Sequence, residues 1–159
     1  MTELDRIDRK ILDILQRQGR ISMTDLGEQI GLSTSPCAER VKRMERQGVI
    51  TGYHARIDPK AVEKPLLVFV EITLSTKSGE VFDKVRNQIA NMPEVLECLL
   101  ITGQDADYQL KVAVRDMDHY QELLLNKLTR IEGVTGVHSS FVLRKVLDKT
   151  ALPVHAAGR

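Results

Sequence analysis

Cysteine is scarce in this chain of 159 residues: Cys37 and Cys98 stand far apart and form no C-x-x-C pair. That excludes a disulfide framework, and both are expected as small, buried apolar residues. His54, His119, His138 and His155 show no ligand spacing, so no structural metal site is expected. Long apolar runs are also missing. Nothing approaches the ~18 residues of a membrane span. The opening Met1-Thr2-Glu3-Leu4-Asp5-Arg6 lacks the basic-then-apolar layout of a signal peptide, so the chain is expected in the cytoplasm, away from membranes. Neither sign of charge dominates, with 23 Lys and Arg against 22 Asp and Glu. Global charge therefore says nothing about nucleic acid, and local distribution must carry that argument. Catalytic constellations are absent too: there is no P-loop, G-x-G-x-x-G, nucleophile–base pair or metal motif. His119 beside Asp118 reads as a helix-start cap. Neither an enzyme nor a cofactor is expected.

What is present describes an ordinary globular protein, 42% hydrophobic and 28% charged, long enough for one medium or two small domains. Prolines at Asp58-Pro59 and Lys64-Pro65 bracket a short polar stretch; before it the pattern is helical, and after it strands and helices alternate. The expected organisation is a helical domain over 1–58, a linker over 59–65, a second domain over 66–148 and a tail over 149–159.

In the first domain, Leu4, Ile7, Ile11, Ile14 and Leu15 recur at helical spacing, predicting a helix to Gln18 with Gly19 as its C-terminal cap. Ser22 opens a second helix, assisted by Asp25, and Gly31-Leu32 breaks it. Ser33 or Thr34 can cap a third helix with Pro36 in its first turn, which runs to Gln47 and stops at Gly48. Val49 to Ile57 reads as a short strand or wing. Three short helices with a tight turn between the second and third outline a helix-turn-helix.

The third helix carries the chemistry. Cys37, Val41 and Met44 share an inward stripe, and the outer face holds Ser35, Glu39, Lys42 and Arg46, with Arg43 beside them and Arg40 on the flank. Basic groups at that spacing can reach phosphates, and Arg43 or Arg46 can fork onto guanine in the major groove of double-stranded DNA. Ser33, Thr34 and Ser35 sit near the positive helix end, suited to phosphate or base edges. Glu39 and Glu45 oppose phosphate unless they read cytosine or pair with an arginine. The bland alternative is a solvated helix face.

The second domain reads βαββαβ. Its first strand, Leu66 to Leu74, has wholly apolar even positions. Val81, Phe82, Val85 and Ile89 mark a helix, and Leu96 to Ile101 a strand. Tyr108, Leu110, Val112 and Val114 alternate with polar neighbours. Met117, Tyr120, Leu124 and Leu128 mark a second helix, and Val134 to Leu147 is extended. This is the ferredoxin-like plan, so the fold class is α+β: an N-terminal helix-turn-helix domain, then a ferredoxin-like domain. Two helices cover one face of the sheet, and the partly apolar other face is expected to meet a second subunit.

The sequence resembles the Lrp/AsnC family, the leucine-responsive and asparagine regulators or feast/famine proteins. The likeness runs through Leu4-Asp5-Arg6-Ile7-Asp8, Gly19-Arg20-Ile21-Ser22, Gly31-Leu32-Ser33-Thr34-Ser35-Pro36-Cys37 and Glu39 to Ile50. It continues in Leu67 to Ile72, Glu97-Cys98, Thr102-Gly103 and Asp107-Tyr108. It implies a DNA-binding transcriptional regulator with Met23 to Lys42 as its helix-turn-helix, dimers that assemble further, often to octamers, and an amino acid effector held between effector domains. Thr102, Gly103, Asp107 and Tyr108 occupy the turn tied to the effector pocket, with Ser139 and Ser140 as weaker candidates. Turn N–H groups there can hold a carboxylate, and Asp107 an ammonium. The bland reading of that turn is a solvated polar hairpin. One departure stands out: the family places two residues between this glycine and aspartate, whereas Gln104, Asp105 and Ala106 make three here. An architectural, nucleoid-like protein that wraps DNA with little ligand response is the alternative role.

Overall fold

A computed structural model describes residues 3–102 and 105–154. The chain forms two compact units, one of residues up to Arg56 together with the segment from Leu147 onward, the other spanning Ile57–Val146. The segment after residue 146 thus groups with the helices and does not stand apart as a tail.

The helical unit contains α1 (Arg6–Leu15), α2 (Met23–Ile30) and α3 (Thr34–Arg46). Asp5 caps α1 in a reciprocal box with Asp8: the Asp8 N–H reaches the Asp5 carboxylate at 2.8 Å, and the Asp5 N–H reaches Asp8 at 3.2 Å. The helix ends earlier than its apolar pattern predicts. Gln16 is the C-terminal cap, and the Ile14 carbonyl takes both the Arg17 and Gln18 N–H groups, so Gly19 is not the cap. Ser22 caps α2 as expected, accepting from the Asp25 N–H at 3.0 Å, and Gly31 ends it at φ 78°. A Cβ on Gly27 would lie 2.6 Å from the Leu32 carbonyl oxygen. Only glycine lets the turn fold back that closely. Ser33 sits at the N-cap of α3 without a side-chain cap bond, and Gly48, φ 69°, lies just past the helix. Ile11, Leu26, Cys37 and Met44 are wholly buried where the three helices meet. Burying each large apolar chain contributes about 1.5–3 kcal/mol, which is what fixes α3 in rotation.

The strand or wing expected from Val49 to Ile57 does not form. The Val49 and Ile50 N–H groups both turn back onto the Met44 carbonyl, at 2.9 and 3.2 Å, and residues 51–58 are irregular. The helical unit has no other strand among its described residues to pair with a wing, and an unpaired ladder is not stable.

The second unit contains β1 (Leu66–Leu74), α4 (Gly79–Ala90), β2 (Val95–Leu100), β3 (Tyr108–Val114), α5 (Met117–Asn126) and β4 (Val134–Phe141). The strands form one antiparallel sheet in the order β2-β3-β1-β4, the ferredoxin-like arrangement read from the sequence. Val68, Val70 and Ile72 of β1 and Leu110, Val112 and Val114 of β3 are buried beneath Val85 and Ile89 of α4 and Tyr120 and Leu123 of α5.

Three expectations change here. The strand predicted to reach Leu147 stops at Phe141, because its partner β1 begins at Leu66; the Val142 N–H to the Leu67 carbonyl is the last rung. Leu143 beyond it is 98% exposed. Met117 faces solvent, and α5 gives way to a tighter turn at Leu128–Arg130. Cys98 is exposed, not buried, because β2 is an edge strand that the helices do not cover. The face opposite the helices carries Leu67, Phe69, Glu71 and Thr73 from β1, register partners of Ala113, Lys111 and Gln109 on one side and of Ser140, His138 and Gly136 on the other.

Candidate nucleic-acid interface and effector cleft

With Cys37, Val41 and Met44 locked inward, the opposite side of α3 is set by helical geometry. Ser33, Thr34, Ser35, Glu39, Lys42 and Arg46 are all exposed there. The Thr34 hydroxyl reaches the Thr24 hydroxyl at 3.3 Å, joining the starts of α3 and α2. Lys42 and Arg46 enter no ion pair among the described residues. They are the uncommitted cations of this face.

Arg40 and Arg43 are placed differently from what the helical wheel implies. Both turn toward the N-terminus of α1. Arg40 Nη1 lies 2.5 Å from Asp5 and 2.9 Å from Asp8, and Arg43 Nη2 lies 2.6 Å from each Asp8 carboxylate oxygen. Asp8 is buried, and charge-assisted bonds from two guanidinium groups are what make a buried carboxylate tolerable. The Asp8 N–H, then the Arg40 guanidinium, hold the Asp5 carboxyl below its usual range; the two acids in turn raise Arg40. The sequence reading missed Asp5 and Asp8. A signal existed: two aspartates three residues apart at the start of α1 match two arginines at the same spacing on α3. On the far flank, Glu45 accepts from the Tyr53 hydroxyl at 3.0 Å. Burial and then this bond push the Tyr53 phenol up to about 12.

In the second unit, the turn between β2 and β3 is laced to β1. The Asp107 N–H donates to Ile72 at 2.8 Å, and the Thr73 hydroxyl donates to the Asp105 carbonyl at 3.1 Å. The buried Asp107 carboxylate takes the Leu74 N–H at 2.8 Å and Lys77 Nζ at 2.9 Å. Those two donors, in that order, hold it below the usual carboxylate range. The ammonium at Asp107 is thus supplied by Lys77. Tyr108 points to the helices, where its hydroxyl donates to the Phe82 carbonyl at 3.2 Å. Strand alternation separates the two serines. Ser139 bonds to the Tyr120 hydroxyl on the helix side, and Ser140 lies on the open face opposite Phe69. Thr102 is exposed, and Gly103 lies outside the described residues. The sequence candidates are therefore not gathered in one place.

What gathers instead is a cleft of about 500 Å³ at the end of the open face, lined by Glu71, Thr73, Asp105, Ala106, Val137 and His138. Glu71 and His138 are register partners, and Gly136 opposite Thr73 adds no side chain to the floor. Sequence reasoning missed Glu71, Thr73 and His138, because only the β1–β4 register brings them together.

Residues 67–152 match the family model described as the Lrp/AsnC ligand binding domain, and residues 4–51 match a winged helix-turn-helix DNA-binding model. The chain is 42% identical to the Bkd operon transcriptional regulator of Pseudomonas aeruginosa over 97% of this chain and 100% of that one. It is 44% identical to the leucine-responsive regulatory protein of Escherichia coli K12, over 96% and 92%. Among solved structures, a transcriptional regulator from Neisseria meningitidis in complex with L-Met superposes with TM-score 0.91 at 34% identity, covering 96% of this chain and 97% of that one. Escherichia coli AsnC superposes with TM-score 0.84 at 28% identity, over 94% and 98%. Matches of this extent to both units settle the assignment: the chain belongs to the Lrp/AsnC family of transcriptional regulators.

Proposed function

We propose that this regulator reads duplex DNA with the outer face of α3 and answers to an amino acid taken up in the effector cleft, acting in the cytoplasm on genes of amino acid metabolism. The observation that carries the DNA reading is the opposition of two stripes on one helix. Cys37, Val41 and Met44 are buried, and Ser33, Thr34, Ser35, Glu39, Lys42 and Arg46 face out. In the major groove, Arg46 suits a bidentate contact to guanine, Lys42 a phosphate, and the hydroxyls at the helix start a phosphate or base edge. Arg40 and Arg43 serve mainly to orient α3 against α1.

An α-amino acid suits the cleft chemically. Glu71 and Asp105 offer carboxylates to its ammonium, and the His138 ring N–H offers a donor to its carboxylate. Asp107, through its N–H to Ile72 and its carboxylate to the Leu74 N–H, braces the turn that brings Asp105 and Ala106 to the cleft. The solved relative in complex with L-Met supports this ligand class. The open sheet face, with Leu67 and Phe69 at its centre, is the surface for a second copy, and further assembly to an octamer joins several reading heads on one site. Paired heads then engage half-sites about one helical turn or a multiple apart.

The test is a DNA-shift titration with each of the twenty amino acids, alongside mass in solution. One or a few amino acids are expected to change affinity or assembly. Unchanged behaviour with all of them leaves the architectural reading standing.

A further inference from the structure

On the helical unit, Leu152 and Val154 from the far end of the chain lie across α1 and, with Leu4, Leu12, Leu15 and Ile50, wall a groove of about 380 Å³. The contact is specific to backbone. Gln16 Nε2 donates to the Leu152 carbonyl at 3.0 Å, and Gln16 Oε1 accepts from the Leu152 N–H at 2.6 Å. One side-chain amide therefore pairs both backbone groups of one residue, as a neighbouring strand would. Arg9 Nη1 donates to the Val154 carbonyl at 2.9 Å, Arg56 pairs with Asp148 at 2.6 Å, and Val154 packs on the helical core. Pro153 contributes through its predecessor. A residue before proline is driven to an extended backbone, which points its N–H and C=O the same way, so Leu152 is pre-set for the Gln16 amide.

We propose that α1 presents a docking site for the chain's own Leu152-Pro153-Val154 segment, and that the docked segment is a working part of the DNA-reading head. The chain passes between its two units at Arg56/Ile57 and again at Val146/Leu147. With the segment docked, the head is held by two covalent strands; with it released, by one. Docking thereby raises the stability of α1 and narrows the head's freedom, and it gives a change at the effector unit a second route to the head. The DNA readout rests on the function proposed above, whereas the protection readout below does not.

The experiment compares amide hydrogen exchange and DNA affinity in the intact chain, in a chain ending at Lys149, and in the intact chain with Gln16→Ala. Exchange in α1 is expected to quicken about tenfold in the shortened chain and severalfold in Gln16→Ala, with β1 and β3 unchanged. DNA affinity falls severalfold in both. Equal α1 protection in all three proteins overturns the docking. Lost protection with unaltered DNA affinity and effector response overturns the role in the head. The Gln16→Ala protein keeps the test decisive should the shortened chain fail to fold. Mixing isotopically heavy shortened chains with intact light ones separates own from partner segment: restored protection of the heavy α1 overturns the same-chain assignment.

Discussion

Arg43 of α3 directs its Nη2 at Asp8 of α1, 2.6 Å from each carboxylate oxygen, and the acid it grips is only 1% exposed. The same Asp8 closes the capping box of α1 and receives Arg40. One buried carboxylate thus helps start one helix, orients another and removes two cations from the outer face of α3. Rotation of α3 and its outward charge are set together.

Replacing Asp8 with Asn tests that coupling. Arg40 keeps Asp5 at 2.5 Å, so Arg43 is the cation released. Stability falls by about 1–3 kcal/mol, less than for a fully buried pair because Arg43 is partly exposed. Affinity for random duplex rises, and the slope of log K against log salt steepens by about 0.9 for one added phosphate contact. Denaturant titration and salt-dependent anisotropy measure the two effects. A stability loss with an unchanged slope shows that the freed arginine does not reach DNA.

Arg46→Ala and Arg43→Ala separate reading from orientation. Arg46→Ala costs about 1–3 kcal/mol of specific DNA binding with little change in melting temperature. Arg43→Ala shows its main loss in the melt, because it leaves Asp8 with fewer partners. Equal binding and melting profiles in the two variants contradict the division of roles.

Gly27→Ala places a methyl 2.6 Å from the Leu32 carbonyl oxygen, whereas Gly31→Ala meets nothing within 4 Å and suffers only its φ of 78°. The first is expected to cost about 1–3 kcal/mol through overpacking, beyond any gain in helix propensity. The second costs about 1 kcal/mol. Thermal melts of both check the order, and a milder Gly27→Ala contradicts the close approach of the turn.

Asp107 predicts an acid response of the effector unit. Its folded carboxyl lies below the ordinary 3.8 because the Leu74 N–H and Lys77 favour the charged form. A depressed carboxyl contributes stability that is present above its unfolded value and is lost as pH falls through the folded one. Asp107→Asn should therefore lower stability at neutral pH and flatten the fall below about pH 4. An acid limb as steep as in the unaltered protein assigns that fall to other carboxylates.

Glu71→Gln and His138→Ala probe the cleft. Each removes a charged or donor group expected to touch the effector, and each should weaken the amino acid that scores in the titration by about tenfold, some 1.5 kcal/mol. DNA affinity without effector should hold. Calorimetry with the purified variants reads this directly, and unaltered affinity in both moves the binding site elsewhere.

The sequence made the layout of both units legible because local rules decide it: Ser22 and Gly31 bound α2, and apolar even positions in β1 demand a covered face. What it hid lies between segments. The Asp8 grip on Arg40 and Arg43 joins residues 32 and 35 positions apart. The cleft depends on the pairing of Glu71 with His138. Adjacent Ser139 and Ser140 looked like one feature until the pleat sent them to opposite faces, and β4 ended early because its partner did. The Leu152 segment carried a local signal in Pro153, but nothing local identified Gln16 as its receiver.

The central claim is that α3 presents its free cations to duplex DNA, and anisotropy of a labelled duplex, titrated with the full-length protein from 50 to 200 mM salt, addresses it most directly. The account predicts saturable binding whose affinity falls steeply across that range, and weaker, less salt-dependent binding for Lys42→Ala and Arg46→Ala together. Binding of the double variant that matches the unaltered protein at every salt concentration would contradict it.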